Sequence, residues 1–295
     1  MLLFNDMKGV ILTNPYDAYH AQKHKVCRMV EEFHRLGVDV SVLANDAFVS
    51  YVMDGNSVCD LQADFVLFFD KDRYTSELLE KCGVRVFNSA AATAICDDKM
   101  LTHVTLANHG IPMPTTLPGA LCYNPQGELS DAYLQRAVDI LGLPLVVKEC
   151  HGSYGEQVYL VKTKDELKSK LEEIKTKAYL LQRFEAASSG KDMRVIVIGG
   201  KVVCGMLRQN SSDFRSNAKL GGVATAVEVP HNIADTCEKA ASIIGLDYCG
   251  IDVLLSDVPK ICEVNSNAMF EAMERATGVN VARLYAEHIV NSVKK

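Results

Sequence analysis

Short apolar runs alternate with amphipathic stretches over the first ninety residues of the chain. Residues 9–14 form an apolar run, and residues 18–36 carry apolar side chains at helical spacing up to Gly37, a residue that often ends helices. The alternation continues with three further apolar runs and one helical pattern: residues 38–43, 65–69, 84–87 and 76–81. Strands separated by helices are typical of a parallel sheet covered on both faces. The pattern predicts an N-terminal α/β domain over residues 1–90.

Helical patterns and apolar runs also alternate over residues 91–185, where glycines and prolines interrupt them more often. A helix is predicted at residues 97–108, and the sequence Gly-Ile-Pro-Met-Pro at residues 110–114 ends it. A strand at residues 145–148 leads into a glycine-bearing loop at residues 151–156. The other expected elements are two helices and two strands: residues 130–141, 165–175, 157–161 and 179–184. This stretch is therefore expected to form a second unit.

Paired strands dominate the pattern over residues 186–295. Gly199 and Gly200 separate two apolar runs, which is a strong signal for a hairpin with a two-residue turn. A second pair of strands is predicted at residues 250–255 and 260–265. Helices are expected at residues 233–244 and 281–293. The three patterns together predict an α/β fold in which an N-terminal parallel domain precedes two α+β lobes.

The composition of the chain argues against a nucleic-acid-binding, secreted or membrane protein. The chain has 295 residues, of which 48% are hydrophobic and 23% charged, and its net charge is -6. An acidic chain is a poor non-specific binder of nucleic acid, which requires a basic face. No signal peptide and no membrane-length apolar run is evident, and the ten cysteines show no C-x-x-C spacing. We expect a cytoplasmic protein with reduced thiols and with no nucleic-acid or membrane partner; homo-oligomer formation stays open.

Three oxygen-bearing side chains fall on one face of the predicted second strand pair. Glu263 and Asn265 are two residues apart on one strand, so their side chains lie on the same face. Asp252 lies between apolar residues of the partner strand, where a buried carboxylate needs a partner. Hard oxygen ligands of this kind suit Mg²⁺. The pattern predicts a metal site, although a solvated polar face would contain the same residues.

Two lysines are candidates for binding phosphate. Lys148 ends a predicted strand just before a loop that contains Gly152 and Gly155, and glycines let a backbone approach an anion closely. Lys99 follows two aspartates at the start of a predicted helix, where the helix dipole disfavours a positive charge. A simple turn and an exposed helix lysine explain these features equally well when each is taken alone.

A polar segment carries further cations. Asp192 and Arg194 enter a predicted hairpin strand, and Arg208 lies on the next strand. Arg215 is followed by a serine and an asparagine, which can donate hydrogen bonds to a phosphate group. Residues 211–222 have few apolar side chains, so they form either a mobile segment that closes over substrate or an ordinary exposed loop.

In this order, the motifs resemble the ATP-grasp fold, most closely its RimK-like glutamate ligase branch. The resemblance covers about residues 88–285 and is weaker over the first ninety residues, where that family also has an α/β domain. The stretches that carry it are Asp98-Lys99, Pro144 to Lys148, Phe214 to Asn217, and Glu263 to Ser266. It implies an N-terminal parallel α/β domain followed by two ATP-grasp subdomains, with boundaries near residues 90 and 185.

The resemblance also implies roles for particular residues. Those implied to bind ATP are Lys99, Lys148, Gly152, Ser153, Gly155, Gln182, Arg183, Phe184, Asp192, Arg215, Ser216 and Asn217. Those implied to hold two Mg²⁺ or Mn²⁺ ions are Asp252, Glu263 and Asn265. Those implied to act on the reacting groups are Arg208, Arg215 and Asn217. The lysines would contact the phosphates, the glycine loop would cover them, and the segment starting at Gln182 would hold the adenine.

The implied reaction is the ATP-dependent joining of a carboxylate and an amine, with formation of ADP. Phosphorylation gives an acyl phosphate, which the amine of an amino acid or peptide then attacks. The acid, the amine and the number of residues added stay open, between an amino-acid-adding, peptide-extending enzyme and a D-alanine–D-alanine-like or amino-group-carrier ligase. Three positions depart from the family pattern; they concern the mobility of the loop, the binding of the ribose and the choice of glutamate as a substrate. Gln157 and Arg183 stand where a glycine and an acidic residue are common, and Asn267 begins a stretch that differs from that of glutamate ligases.

Two other classes compete with an active ligase. A nucleotide-binding regulatory protein on a degenerate fold of the same family is the first, and the presence of both lysines and all three metal-ligand candidates argues against it. An oxidoreductase that binds a dinucleotide is the second. It is disfavoured because no glycine fingerprint follows the first predicted strand.

Overall fold

The computed structural model describes residues 7–16, 22–153, 155–216 and 222–294. Its first part contains a parallel sheet with the strand order β2-β1-β5-β6. The elements are β1 Lys8–Thr13, α1 Lys23–Arg35, β2 Asp39–Ala44, β3 Ser50–Met53, β4 Asn56–Cys59, β5 Phe65–Phe68, α2 Arg73–Lys81 and β6 Arg85–Phe87. The predicted parallel sheet is thus confirmed, and the part of the predicted first helix at residues 18–21 lies outside the described residues.

The hairpin formed by β3 and β4 was not predicted from the sequence. Its strands are short and largely exposed, so they show no apolar alternation. The turn is made by Asp54 and Gly55, whose φ angles of 51° and 81° lie in the left-handed region. Asp-Gly is a typical sequence for such a two-residue turn, and this was the available signal.

The helix predicted at residues 97–108 is α4 Lys99–Leu106, and a separate helix before it, α3 Ala90–Asp97, was not predicted. Asp98 between them has an extended backbone, and its Oδ1 accepts hydrogen bonds from the backbone N–H groups of Met100 and Leu101 at 2.9 and 3.0 Å. The aspartate therefore caps α4 and makes Lys99 its first residue.

An antiparallel sheet with the strand order β7-β10-β8-β9 follows. Its elements are β7 Thr116–Pro118, α5 Asp131–Leu141, β8 Leu145–Glu149, β9 Val158–Val161, α6 Lys164–Ile174 and β10 Tyr179–Arg183. The short edge strand β7 was not predicted. The glycine loop expected from the sequence connects β8 to β9, and β10 pairs with the other side of β8.

The last part of the chain builds a five-stranded antiparallel sheet with the order β13-β12-β11-β14-β15. Its elements are β11 Lys191–Ile198, β12 Lys201–Gln209, β13 Val223–Val227, α7 His231–Ile244, β14 Tyr248–Leu254, β15 Lys260–Asn265, α8 Glu271–Thr277 and α9 Val281–Val293. The turn at Gly199 and Gly200 joins β11 to β12 as predicted, with φ angles of 57° and 75°. Strand β13 and helix α8 were missed.

One hydrophobic core joins the first and last parts of the chain. Ile11 and Phe33 of the parallel sheet region pack in the same cluster as Ile198, Phe270 and Tyr285. The mixed α/β fold class is therefore confirmed, whereas the boundaries at residues 90 and 185 stay predictions.

All ten cysteines are free thiols. In the described part of the chain, no helix combines the length and apolar composition needed to cross a bilayer.

Lys25 of α1 is buried inside this core. Its ammonium lies 4.2 Å from the centre of the Phe69 ring and 5.1 Å from that of Tyr248, and it donates a hydrogen bond to Oδ1 of Asn267. Among the described residues, no carboxylate forms an ion pair with it. Burial lowers the pKa of Lys25 to about 7, because the charged form loses its hydration.

We expect Lys25→Met to raise the free energy of unfolding by about 1 kcal/mol or more near pH 6, since the apolar side chain removes a desolvated charge. The gain should shrink toward about pH 9. Above the folded-state pKa of about 7 only the unfolded state keeps the proton, so the wild-type protein becomes relatively more stable as the pH rises. Urea unfolding at both pH values measures this.

Lys23→Met is the matched control, because Lys23 is exposed on the same helix. It should change stability little at either pH. Destabilisation by Lys25→Met at both pH values would show that the contacts with the aromatic rings and Asn267 outweigh the cost of burial.

Candidate active site

A cleft of about 750 Å³, counted with the open solvent at its mouth, lies between the two antiparallel sheets. Strands β8, β10, β11, β14 and β15 contribute to its walls. The predicted site residues that line it are Lys99, Lys148, Gly155, Gln182, Arg183, Phe184, Asp192, Arg215, Ser216, Asp252 and Glu263. Most of the candidates, scattered over some 160 positions of sequence, are therefore gathered in one place. Ser153 and Gly152 belong to the adjoining loop, and Asn217 lies outside the described residues.

Strands β14 and β15 place the three metal-ligand candidates on one face. Asp252 lies directly opposite Glu263, and Gly250 lies opposite Asn265. Facing residues in an antiparallel pair share a face, and so do residues two apart on a strand. The predicted common face of these side chains is thus present in the structure.

A β-bulge interrupts this pairing next to Glu263. Asp252 pairs with Glu263 but Val253 pairs with Ile261, so Cys262 is an extra residue on β15. Cys262 and Glu263 both line the cleft, although neighbours in a regular strand point to opposite faces. Because the bulge breaks the regular alternation of side chains, Cys262 was not predicted as a lining residue.

Two arginines hold the carboxylates under the cleft. Arg194 donates to both oxygens of Asp252 at 2.7 Å, and Nη2 of Arg208 lies 2.9 Å from Oδ2 of the same group. Arg208 also donates from Nε to Asp192 at 2.7 Å. Burial alone would raise the pKa of Asp252, but the two guanidinium groups outweigh it and hold that pKa well below the usual range.

Arg208 is 4% exposed and is not among the residues that line the cleft. It contacts Asp192 and Asp252, which line the cleft, without lining the cleft itself. Its predicted action on the reacting groups stays a prediction, because the structure shows it as a partner of the carboxylates under the cleft.

The donor set fits Mg²⁺. An ionised carboxylate offers about four lone-pair positions, and the contacts from Arg194 and Arg208 occupy three of those of Asp252. Glu263 is 31% exposed and has only Lys99 nearby, at 3.7 Å, as a charged partner among the described residues. The amide nitrogen of Asn265 is buried without a partner there, and flipping the amide would present its oxygen instead.

No group of three histidine, cysteine, aspartate or glutamate side chains among the described residues is ready to hold a metal by itself. The predicted set has two carboxylates and one amide. Mg²⁺ commonly binds to one or two carboxylates together with phosphate oxygens, so this set suits an ion that arrives with a nucleotide.

The two candidate lysines come from α4 and β8, outside the sheet that carries these carboxylates. The ammonium of Lys99 donates to the backbone carbonyl of Gly152 at 2.9 Å and lies 3.7 Å from Glu263. Lys148, 7% exposed, donates to the sulfur of Cys262 at 3.3 Å. Lys99 therefore contacts both the glycine loop and β15, and Lys148 contacts the residue next to Glu263.

The glycine loop is held at two carbonyl groups. Lys99 binds that of Gly152, and Nη1 of Arg215 donates to that of Gly155 at 2.6 Å. Gly152 has a φ of 141°, and a Cβ atom there would lie 2.4 Å from the side-chain oxygen of Gln157. Only glycine fits at position 152, because Gln157 folds back over it.

The segment around Gln182 forms another wall. Gln182 donates from Nε2 to Thr116 at 2.9 Å and lies 3.1 Å from Nε2 of His103. Burial, followed by the charge of Lys148, lowers the pKa of His103 to about 4. A neutral His103 can therefore accept a hydrogen bond from Gln182 and fix its orientation.

Several lining residues were not predicted. Glu185 accepts a hydrogen bond from Lys260 at 2.6 Å, and the rings of Phe184 and Phe214 meet edge to face with centres 6.3 Å apart. Glu185 follows directly after the predicted segment Gln182 to Phe184, so extending that segment by one residue would have included it. The position of Phe214 depends on a tertiary contact that no local pattern indicates.

A family model for the RimK-like ATP-grasp domain matches residues 96–289. Beta-citrylglutamate synthase B of Homo sapiens is 34% identical over 223 residues, which are 74% of this chain and 56% of that protein. N-acetylaspartylglutamate synthase A of Homo sapiens is 32% identical over 226 residues, with 75% and 56% covered. The chain thus spans about half the length of these two synthases. A probable alpha-L-glutamate ligase of Maridesulfovibrio salexigens is 36% identical over 71% of this chain and 68% of that protein.

Solved structures agree on the fold. The ATP-grasp ligase PsnB, complexed with a minimal precursor, superposes with a TM-score of 0.71 at 20% identity, covering 97% of this chain and 99% of that one. The D-alanine–D-alanine ligase of Bacillus anthracis complexed with ATP gives a TM-score of 0.73 at 17% identity, covering 98% and 97%. At these identities the likeness concerns the fold.

We expect Arg208→Met to lower the free energy of unfolding by about 3 kcal/mol, because it removes the cation that contacts the buried Asp192 and leaves Asp252 with Arg194 alone. Urea unfolding measures the change. Arg136→Met is the control, since Arg136 is exposed on α5, and it should have little effect. Equal small losses in both variants would contradict the role of Arg208 in holding the two carboxylates.

Proposed function

The chain belongs to the RimK-like ATP-grasp family, and we propose on that basis that it is an ATP- and Mg²⁺-dependent ligase that joins a carboxylate to an amine. One observation carries the proposal. Lys99 and Lys148 line the same cleft as Asp252 and Glu263, and the ammonium of Lys99 lies 3.7 Å from Glu263. A triphosphate with its metal ions suits such a mixed set of charges, because phosphate oxygens can bind to the lysines while the ions bind to the carboxylates.

Each part of the cleft has a task in this proposal. The ammonium groups of Lys99 and Lys148 bind phosphate oxygens, and Arg215 binds from the other end of the loop. Two Mg²⁺ ions would be held by Asp252, Glu263 and Asn265. Bound Mg²⁺ neutralises the charge that develops during phosphoryl transfer.

Adenine binds against the wall formed by Gln182, Arg183 and Phe184. The side chain of Gln182 is held by Thr116 and His103, so its backbone is fixed for contacts with the base. The guanidinium of Arg183 donates to the carbonyl of Ile140 at 2.7 Å. Arg183 therefore supports the wall in a position where related ligases commonly have an acid.

The reaction passes through an acyl phosphate. The γ-phosphoryl group moves to the acid, and the amine then displaces phosphate. Closure of the glycine loop keeps water away from the acyl phosphate, which would otherwise hydrolyse. We propose an amino acid as the amine, because the relatives are named as synthases or ligases of glutamate-containing products. The acid is a small carboxylate or a peptide.

A phosphate-release screen tests the proposed function. Citrate, N-acetyl-L-aspartate, L-glutamate and short peptides serve as acids, each combined with the standard amino acids, ATP and Mg²⁺. Release of phosphate that requires both an acid and an amine, with the amide product found by mass spectrometry, is expected. ATP binding without turnover for any pair would instead favour a nucleotide-binding regulatory protein.

We expect Glu263→Gln to lower ATP turnover at least about 10²-fold, because the amide lacks the charge that a divalent ion requires. Its melting temperature should stay near that of the wild type, since Glu263 is partly exposed. Glu271→Gln, an exposed change at the start of α8, is the control and should keep full turnover. Normal turnover by Glu263→Gln would show that the metal ligands are wrongly assigned.

A further inference from the structure

A histidine, an aspartate and a lysine form a connected row beside the glycine loop. Nδ1 of His151 lies 3.3 Å from Oδ2 of Asp97, and the other oxygen of Asp97 lies 2.7 Å from the ammonium of Lys71. His151 is the first residue of the loop, Asp97 is the last of α3, and Lys71 lies between β5 and α2. Three separate parts of the chain therefore meet at Asp97.

The row fixes which nitrogen of His151 carries the proton. Partial burial of Asp97 would raise its pKa, but Lys71 and then His151 outweigh this and lower it, so the carboxylate is ionised at neutral pH. An ionised carboxylate only accepts hydrogen bonds, so Nδ1 of a neutral His151 must donate to it. Nε2 is then left with a free lone pair, on a side chain that is 61% exposed.

The row is joined along the chain to two groups proposed to hold the transferred phosphoryl, the glycine loop and Lys99. His151 directly precedes Gly152, whose carbonyl accepts a hydrogen bond from Lys99 at 2.9 Å. Asp97 is two residues before Lys99, and Lys99 in turn lies 3.7 Å from Glu263. The charged groups around the row are Lys71, Asp97, Asp98, Lys99 and Glu263, and the thiols of Cys96 and Cys150 lie among them.

Formation of an amide requires a base. An amino acid is an ammonium ion at neutral pH, and an ammonium nitrogen has no lone pair with which to attack a carbonyl carbon. We propose that His151 is the general base that deprotonates the incoming amine, with Asp97 as the positioning residue that holds its tautomer. This inference rests on the proposed function and adds to it the group that activates the amine.

The ammonium group loses two protons, one to His151 and one to the departing phosphate. Nε2 of His151 takes one proton from R–NH₃⁺, which leaves R–NH₂ and an imidazolium stabilised by Asp97. The nitrogen lone pair forms the C–N bond with the acyl phosphate, and the C–O bond to phosphate breaks with its electron pair moving to the departing phosphate. That phosphate takes the second proton from nitrogen and leaves as HPO₄²⁻, and the imidazolium later releases its proton to solvent.

Hydroxylamine separates this role from a structural one, because it is largely unprotonated at neutral pH and needs no base. With ATP, Mg²⁺ and each of citrate, N-acetyl-L-aspartate and L-glutamate, the wild type is expected to form the hydroxamate of the accepted acid. His151→Gln should form it within about twofold of the wild-type rate. With L-glutamate as the amine, the variant should be at least about 10²-fold slower near pH 7.

The loss should shrink as the pH rises, because free amine becomes available without a base. Asp97→Asn should show the same selective loss, since the amide no longer fixes the tautomer of His151. His109→Gln, which replaces an exposed histidine beyond α4, is the matched control and should retain both rates.

Equal slowing of both nucleophiles in His151→Gln would overturn the proposal and assign the residue to loop structure instead. Wild-type rates with both nucleophiles would overturn it as well. Absence of any hydroxamate from the wild type would count against the proposed function itself, so the two failures are distinct.

Discussion

Two arginines and two aspartates are buried together where β11, β12 and β14 run side by side. Arg208 contacts both Asp192 and Asp252, and Arg194 donates two hydrogen bonds to Asp252. Because these contacts cross three neighbouring strands, they fix the position of the cleft floor relative to the sheet. Glu263 and Asn265 take their places from β14 through the pairing of β15. The positions of the three metal-ligand candidates therefore depend on this buried set of charges.

The same set explains how charge is divided across the cleft. Two guanidinium groups balance two carboxylates beneath the floor, so this region is close to neutral. The charged side chains that remain to face a ligand are Glu263 on the floor and the two lysines, Lys99 and Lys148. Arg215 also lines the cleft, but its guanidinium donates two hydrogen bonds to Asp213. A nucleotide with its metal ions carries charges of both signs and suits such a set. The family membership of the chain agrees with it.

Local patterns were enough to predict the parallel sheet, the hairpin at Gly199 and the common face of Glu263 and Asn265. Each of these follows from spacing along the chain. Helix α3 was not predicted, because its run of small residues gives no amphipathic pattern, and it ends just before Asp98, which caps α4. Cys262 was missed because a bulge breaks the alternation of a strand. The arginine partners of Asp252 come from distant segments, and a single sequence does not reveal such pairs.

The hydrogen bonds that hold the glycine loop have a consequence for how a nucleotide enters. Lys99 and Arg215 already donate to the carbonyls of Gly152 and Gly155. An ammonium group has three N–H donors and a guanidinium group has five, so each cation can keep its carbonyl and still donate to a phosphate oxygen. A phosphate bound there would share its cations with the loop. The contacts that place the loop would therefore also place the phosphates beneath it.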